Sequence, residues 1–104
     1  MFCVYDIEVN GSMMYPYLTF DDETEVTHSH IIEEDGERKV YVHFERPIED
    51  DNRAFDEAEC VLPTYEWIKA EGFSDKEMDM FNEFMRSNAH LFYKFAERGG
   101  IGIA

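Results

Sequence analysis

Apolar and polar positions alternate along the first half of this chain and recur at helical spacing near its end. In "VYDIEV" and "SMMYPYLTF" the apolar residues fall largely at every second position, the period of a strand with one buried face. Asn10-Gly11 lies between the two runs. Both central residues of a type I′ turn need positive φ, which this dipeptide tolerates, so the runs predict a hairpin. Pairing Val9 with Ser12 places Cys3, Tyr5, Ile7 and Val9 on one face with Met14, Pro16, Leu18 and Phe20. The other face then takes Asp6, Glu8, Tyr15, Tyr17 and Thr19. Pro16 has no amide hydrogen for the ladder, so an edge position, a bulge or fraying is expected there.

The stretch "EVTHSHIIEEDGERKVYVHFER", residues 25 to 46, predicts a second hairpin turning at Asp35-Gly36. Its register faces Glu34 with Glu37, Glu33 with Arg38, Ile31 with Val40, Ser29 with Val42, Thr27 with Phe44 and Glu25 with Arg46. Two opposite-charge pairs then flank an apolar patch, a favourable cross-strand arrangement. The opposite face carries Val26, His28, His30 and Ile32 across from Glu45, His43, Tyr41 and Lys39. In this register His28 lies directly opposite His43, with His30 one diagonal step away.

A polar connection follows over 47 to 55. "DEAECVLP" reads as a fifth strand, and "YEWIKAEG" as a sixth strand or a short helix. Strands with a bend at Pro63 are the preferred reading. "SDKE" at 74 to 77 is a capping box, with Ser74 capping the backbone and Glu77 reaching back. Beyond it Met78, Phe81, Phe84, Met85, Ala89, Leu91, Phe92, Phe95 and Ala96 share one side of a helical wheel. Asp79, Glu83, Arg86, His90, Lys94 and Glu97 share the other. Gly99-Gly100 reads as the stop. The predicted fold is α+β: an antiparallel sheet of four to six strands built from two hairpins, with one long C-terminal amphipathic helix packed across one face. The chain reads as a single domain over 1–104.

Composition narrows the partners. Of 104 residues, 24 are Asp or Glu and 9 are Lys or Arg, for a net charge of -15. Such a surface repels phosphates, so nucleic acid is not an expected partner. Basic proteins, basic peptides and cations are the better candidates. Cys3 and Cys60 form no C-x-x-C motif and read as buried thiols. "MFCVYDIEVN" lacks the basic start of a signal peptide, and no apolar run approaches the roughly 20 residues of a membrane span. The expected location is cytoplasmic, with no membrane partner.

Three of the four histidines fall within residues 25 to 46. In the register above, His28, His30 and His43 offer three imidazoles to one ion, with a fourth position open, which is a zinc arrangement. Glu45 or Asp22 could add a carboxylate. The competing reading is a wet strand face on which His, Tyr and Lys alternate. His90 reads as solvated. The acidic runs "DDETE", "EEDGE" and "EDD" sit at predicted turns and lack EF-hand spacing. There is no G-x-S-x-G elbow, no local cysteine signature and no phosphate-cradling Gly-rich loop, so no catalytic residue is assigned. The helix stripe reads as core, with a dimer interface as its alternative.

The strand "MMYPYLTF", the acidic turn, "THSHI" entering the next strand, "KVYVHF" and the terminal helix resemble a family of small bacterial proteins of unknown function. That family carries a Pro-Pro-His-x-His signature and is often encoded near toxin–antitoxin-like partners. The resemblance covers residues 13 to 46 and the final helix. Val26-Thr27 stand where the family has its two prolines, so only His28 and His30 carry over. It implies bacterial origin and partnership with another small protein. Three functional readings stand: a non-enzymatic interaction module that binds a protein partner or itself, a zinc-type site on the three histidines with hydrolytic use, and an acidic mimic of nucleic acid. No cofactor other than such a zinc is expected.

Overall fold

The computed structural model describes residues 8–9, 12–48 and 55–98. The strands are β1 (Glu8–Val9), β2 (Ser12–Thr19), β3 (Glu25–Ser29), β4 (Ile32–Glu34), β5 (Glu37–Pro47), β6 (Phe55–Leu62) and β7 (Glu66–Glu71), followed by the helix α1 (Asp75–Arg98). The sheet order is β1-β2-β3-β5-β6-β7, with β4 also paired to β5. Because β3 and β4 follow one another along β5, the described sheet is six strands across, and every pairing in it is antiparallel. This is the expected α+β architecture. Residues 55–71 resolve as the two strands preferred for them, joined by a turn after Leu62. The Asn10-Gly11 turn, Cys3 and its face-mates Tyr5 and Ile7, the acidic run at 49–51 and the Gly99-Gly100 stop lie outside the described residues.

Local chemistry accounts for the elements. Val9 pairs with Ser12, the register expected of these two strands. Asp35 (φ 52°) and Gly36 (φ 78°) both occupy the left-handed region that a type I′ turn requires. Glu34 therefore faces Glu37 and Glu33 faces Arg38. At the helix start the Ser74 amide donates to Glu77 Oε1 (2.9 Å) and the Glu77 amide donates to Ser74 Oγ (3.1 Å), which completes the capping box. Ser74→Ala is expected to lower stability by about 1 kcal/mol. A urea midpoint unchanged from the parent protein would mean that the helix start holds without its cap.

The 24-residue helix, about 36 Å long, lays Phe81, Met85, Phe92 and Ala96 onto Val26, Val40, Val42, Phe44, Ala58, Cys60 and Leu62 of the sheet. Burying a Phe or Met side chain contributes roughly 1.5–3 kcal/mol, so this apolar layer dominates the association of helix and sheet. Two hydrogen bonds orient the helix. Tyr17 Oη donates to Asn88 Oδ1 (2.6 Å), and Trp67 Nε1 donates to Asn82 Oδ1 (2.8 Å). Arg46 ties the helix start to the sheet. Its guanidinium donates to Glu77 (2.6 Å), to Asp56 (2.7 and 3.0 Å) and to Asp22 (3.2 Å), and it lies 4.7 Å from the centre of the Phe73 ring.

The registers depart from expectation at two breaks. Between Pro16 and Leu18 the β2–β3 register shifts by one residue. Tyr15 contacts His28, and Tyr17 packs against Phe92 (ring centres 4.3 Å apart), while Phe20 on the far side of the shift packs on Phe81 and Phe84. Tyr15 and Tyr17 thus join the helix side, not the solvent side expected of them, because the extra residue switches which positions point inward.

The second break separates β3 from β4. His28 pairs with Val42 and Ile32 pairs with Lys39, so three residues on one side oppose two on the other. Ser29 accounts for the slip. Its hydroxyl accepts the Tyr41 amide hydrogen (3.0 Å) and donates to the His30 carbonyl (2.7 Å), standing in for a backbone rung. Beyond the break Val26 faces Phe44 and Thr27 faces His43. The expected pairs Thr27–Phe44, Ser29–Val42, Glu25–Arg46 and His28–His43 are therefore replaced by pairs one residue out.

Candidate cation-binding face

The slip decides what each sheet face carries. Val26, His28, Val42 and Phe44 meet the helix. Thr27 and Ser29 turn to the opposite face, with Tyr41, His43 and Glu45 of β5. His28 is fully buried at 0% exposure. Its ring lies 5.8, 6.3 and 5.9 Å from those of Tyr15, Tyr17 and Phe92. His43 points from the other face to Glu57, and His30 is exposed at the break. The three histidines do not share a face. Among the described residues no group of three or more His, Cys, Asp or Glu is arranged to hold a metal ion. His90 is exposed on the helix, as expected of it.

The helix-free face holds two rows running across the strands. Thr27, His43, Glu59 and Lys69 form one; Glu25, Glu45, Glu57 and Glu71 form the next. Alternation creates them. In β6 the residues Ala58, Cys60 and Leu62 go to the helix, which sends Glu57, Glu59 and Val61 the other way. At about 4.8 Å per strand the four glutamates span about 14 Å. Like charges directly opposite destabilise a sheet, so this row is held against its own repulsion by packing elsewhere.

Within the rows, two adjacent cross-strand pairs form a block of four: His43 opposite Glu59, and Glu45 opposite Glu57. One diagonal of the block is satisfied. His43 Nε2 meets Glu57 Oε1 at 3.2 Å, and Lys69 Nζ donates to Glu57 Oε2 at 3.3 Å. Partial burial raises the Glu57 pKa, but the His43 and Lys69 hydrogen bonds outweigh it and hold the carboxyl below its ordinary value. The other diagonal is not satisfied. Glu59 is 5% exposed, and its Oε2 is buried without a hydrogen-bond partner. Burial pushes the Glu59 pKa up against the attraction of His43 and Lys69, with Glu57 adding to the rise. Burial likewise raises that of Glu45, opposed by His43 and reinforced by Glu57 and Glu25. Thr27 Oγ1, across His43 from Glu59, is a second buried oxygen without a partner. Acceptors in this state call for a donor, and a positively charged donor above all.

Elsewhere the chemistry is quiet. Cys60 is buried and free, and burial pushes its thiol up to about 12, so it carries no thiolate at neutral pH. "DDETE" and "EEDGE" lie at turns, where the Asp22 carboxylate accepts the Thr24 amide (3.0 Å). Among the described residues no helix is long and apolar enough to cross a membrane. Periodicity alone does not find these two rows, because a run as short as "DEAECVLP" does not by itself distinguish a strand from other elements. Once that segment is a strand, its alternation of Glu57, Glu59 and Val61 with Ala58, Cys60 and Leu62 is the signal that finds them. Compared with protein-family models, with curated proteins and with solved structures, the chain matches none.

Proposed function

We propose that this chain is a non-enzymatic protein-interaction module that presents the part-exposed glutamate row on the helix-free face of its sheet to a basic segment of a partner protein. The observation that carries this reading is the row Glu25–Glu45–Glu57–Glu71, backed by the buried and unpartnered Glu59 carboxyl. A row of like charges opposes folding, and a cationic partner removes that penalty on binding. The net charge of -15 adds long-range attraction for the same partner. The resemblance to small bacterial proteins encoded beside partners points the same way.

The test uses a ten-residue peptide alternating basic residues with glycine, in lysine and arginine versions. Binding is expected to weaken about tenfold between roughly 50 and 300 mM salt, because surface charges are screened beyond a Debye length. The variant carrying Glu45→Gln, Glu57→Gln and Glu71→Gln is expected to lose most of the affinity. A control with Asp79→Asn, Glu83→Gln and Glu97→Gln removes the same charge from the exposed side of the helix, across the sheet from the row, and is expected to keep it. Equal losses in the two triple variants would overturn the reading, since the attraction would then belong to net charge alone. Competition between this chain and DNA for a basic partner would move the assignment to the acidic mimic of nucleic acid.

A further inference from the structure

We propose that the Glu45–Glu59 diagonal is a recognition position for one primary ammonium group, the tip of a partner lysine. This rests on the reading of the face as an interaction surface and names the group that it selects.

The block of four supplies the argument. His43–Glu57 makes one diagonal contact at 3.2 Å, while Glu45 and Glu59 occupy the crossing diagonal. Neither accepts a hydrogen bond from a described side chain, and Glu59 Oε2 is wholly enclosed. Diagonal cross-strand residues have Cα atoms about 7 Å apart, with their Cβ atoms somewhat closer. A nitrogen about 2.8 Å from each of two oxygens joins acceptors up to about 5.6 Å apart. One ammonium can therefore bridge the two carboxyls and keep its third hydrogen for water.

The same face already holds such a group, because Lys69 reaches across from β7 to Glu57. Glu45 is half-buried and Glu59 is buried, so the entering cation passes the first to reach the second. A narrow alkyl stem with a compact head suits that approach, whereas a guanidinium needs room for its planar fork. A metal ion is the poorer occupant, since the described carboxylates and histidines are not arranged around one point.

The experiment compares the lysine and arginine peptides on Glu59→Gln and Glu45→Gln. Both substitutions keep shape and remove charge. Each is expected to weaken the lysine peptide at least tenfold and the arginine peptide less than threefold. Glu71→Gln, at the end of the row, is expected to weaken both peptides equally. Methylammonium at high concentration is expected to compete with the lysine peptide only. As a check on folding, thermal unfolding of each variant is recorded, and carboxyl carbon resonances of the parent protein are followed through the lysine titration. Two signals, those of Glu45 and Glu59, should move together. If Glu59→Gln leaves lysine binding unchanged while the row variants abolish it, this inference fails and the proposed function survives. If neither peptide binds the parent protein, both fail. Equal loss of the two peptides on Glu59→Gln overturns the preference for ammonium.

Discussion

Phe44→Ala is expected to remove about 3–5 kcal/mol of stability, the usual range for emptying a buried aromatic site. Phe44 is fully buried at the centre of the layer between sheet and helix. It stacks on Phe81, with ring centres 4.4 Å apart and planes 23° from parallel, and its ring lies near those of Trp67 and Phe84. These neighbours come from β7 and α1, so a cavity at Phe44 loosens two elements at once. Domains of this size have roughly 5–15 kcal/mol in total, and the variant should be partly unfolded at physiological temperature. Met80→Ala, on the exposed side of the same helix, should stay within about 0.5 kcal/mol. Urea unfolding followed by circular dichroism measures both. A Phe44→Ala cost below about 1 kcal/mol would mean that the helix does not rest on this part of the sheet.

The second large effect is a loss of stability in acid that originates at His28. Its Nδ1 lies 2.8 Å from the Ser29 carbonyl. A carbonyl only accepts, so Nδ1 carries the hydrogen and Nε2 is the basic nitrogen. Nε2 is buried without a partner, and Tyr15, Tyr17 and Phe92 surround the ring without a carboxylate to balance a charge. Burial lowers the His28 pKa below its ordinary value of 6.5, and the hydrogen bond to Ser29 only partly offsets this. Below 6.5 the unfolded chain therefore binds a proton that the folded chain refuses. The stability conferred by His28 is fully present above 6.5 and is lost as the pH falls towards the depressed folded value. The slope is at most about 1.4 kcal/mol per pH unit.

The carboxyls act with other signs. Glu45 and Glu59 have raised values and regain stability as they protonate. Glu57 and Glu77 have lowered values and lose it only below the ordinary carboxylate range. The difference between the parent protein and His28→Met isolates the histidine. The variant is expected to match the parent protein in stability at neutral pH and to resist unfolding better near pH 5. Parallel stability curves between pH 7.5 and 5 would show that His28 does not take up its proton on unfolding.

Much of this protein was legible from local chemistry. Asp35-Gly36 sets its turn because those two residues tolerate positive φ, and the capping box sets the helix start because Ser74 and Glu77 answer each other's backbone. The sidedness of Phe81, Met85 and Phe92 follows from the 3.6-residue period alone. The α+β class follows from these elements together. The faces of Tyr17, Thr27 and His28 did not follow. A two-residue period assigns faces within a run and carries no information across an inserted residue. Whether a residue is inserted depends on groups far apart in the chain: the Ser29 hydroxyl taking the Tyr41 amide, Tyr17 reaching Asn88, and the aromatic enclosure closing over His28. By itself the sequence determined the turns, the helix and the fold class, since each depends on neighbours within a few residues. Tertiary structure decided the register beyond Ser29, and with it the separation of His28 from His43 and the meeting of His43 with Glu57 and Glu59, because hydrogen bonding and packing between distant strands choose where the extra residue sits.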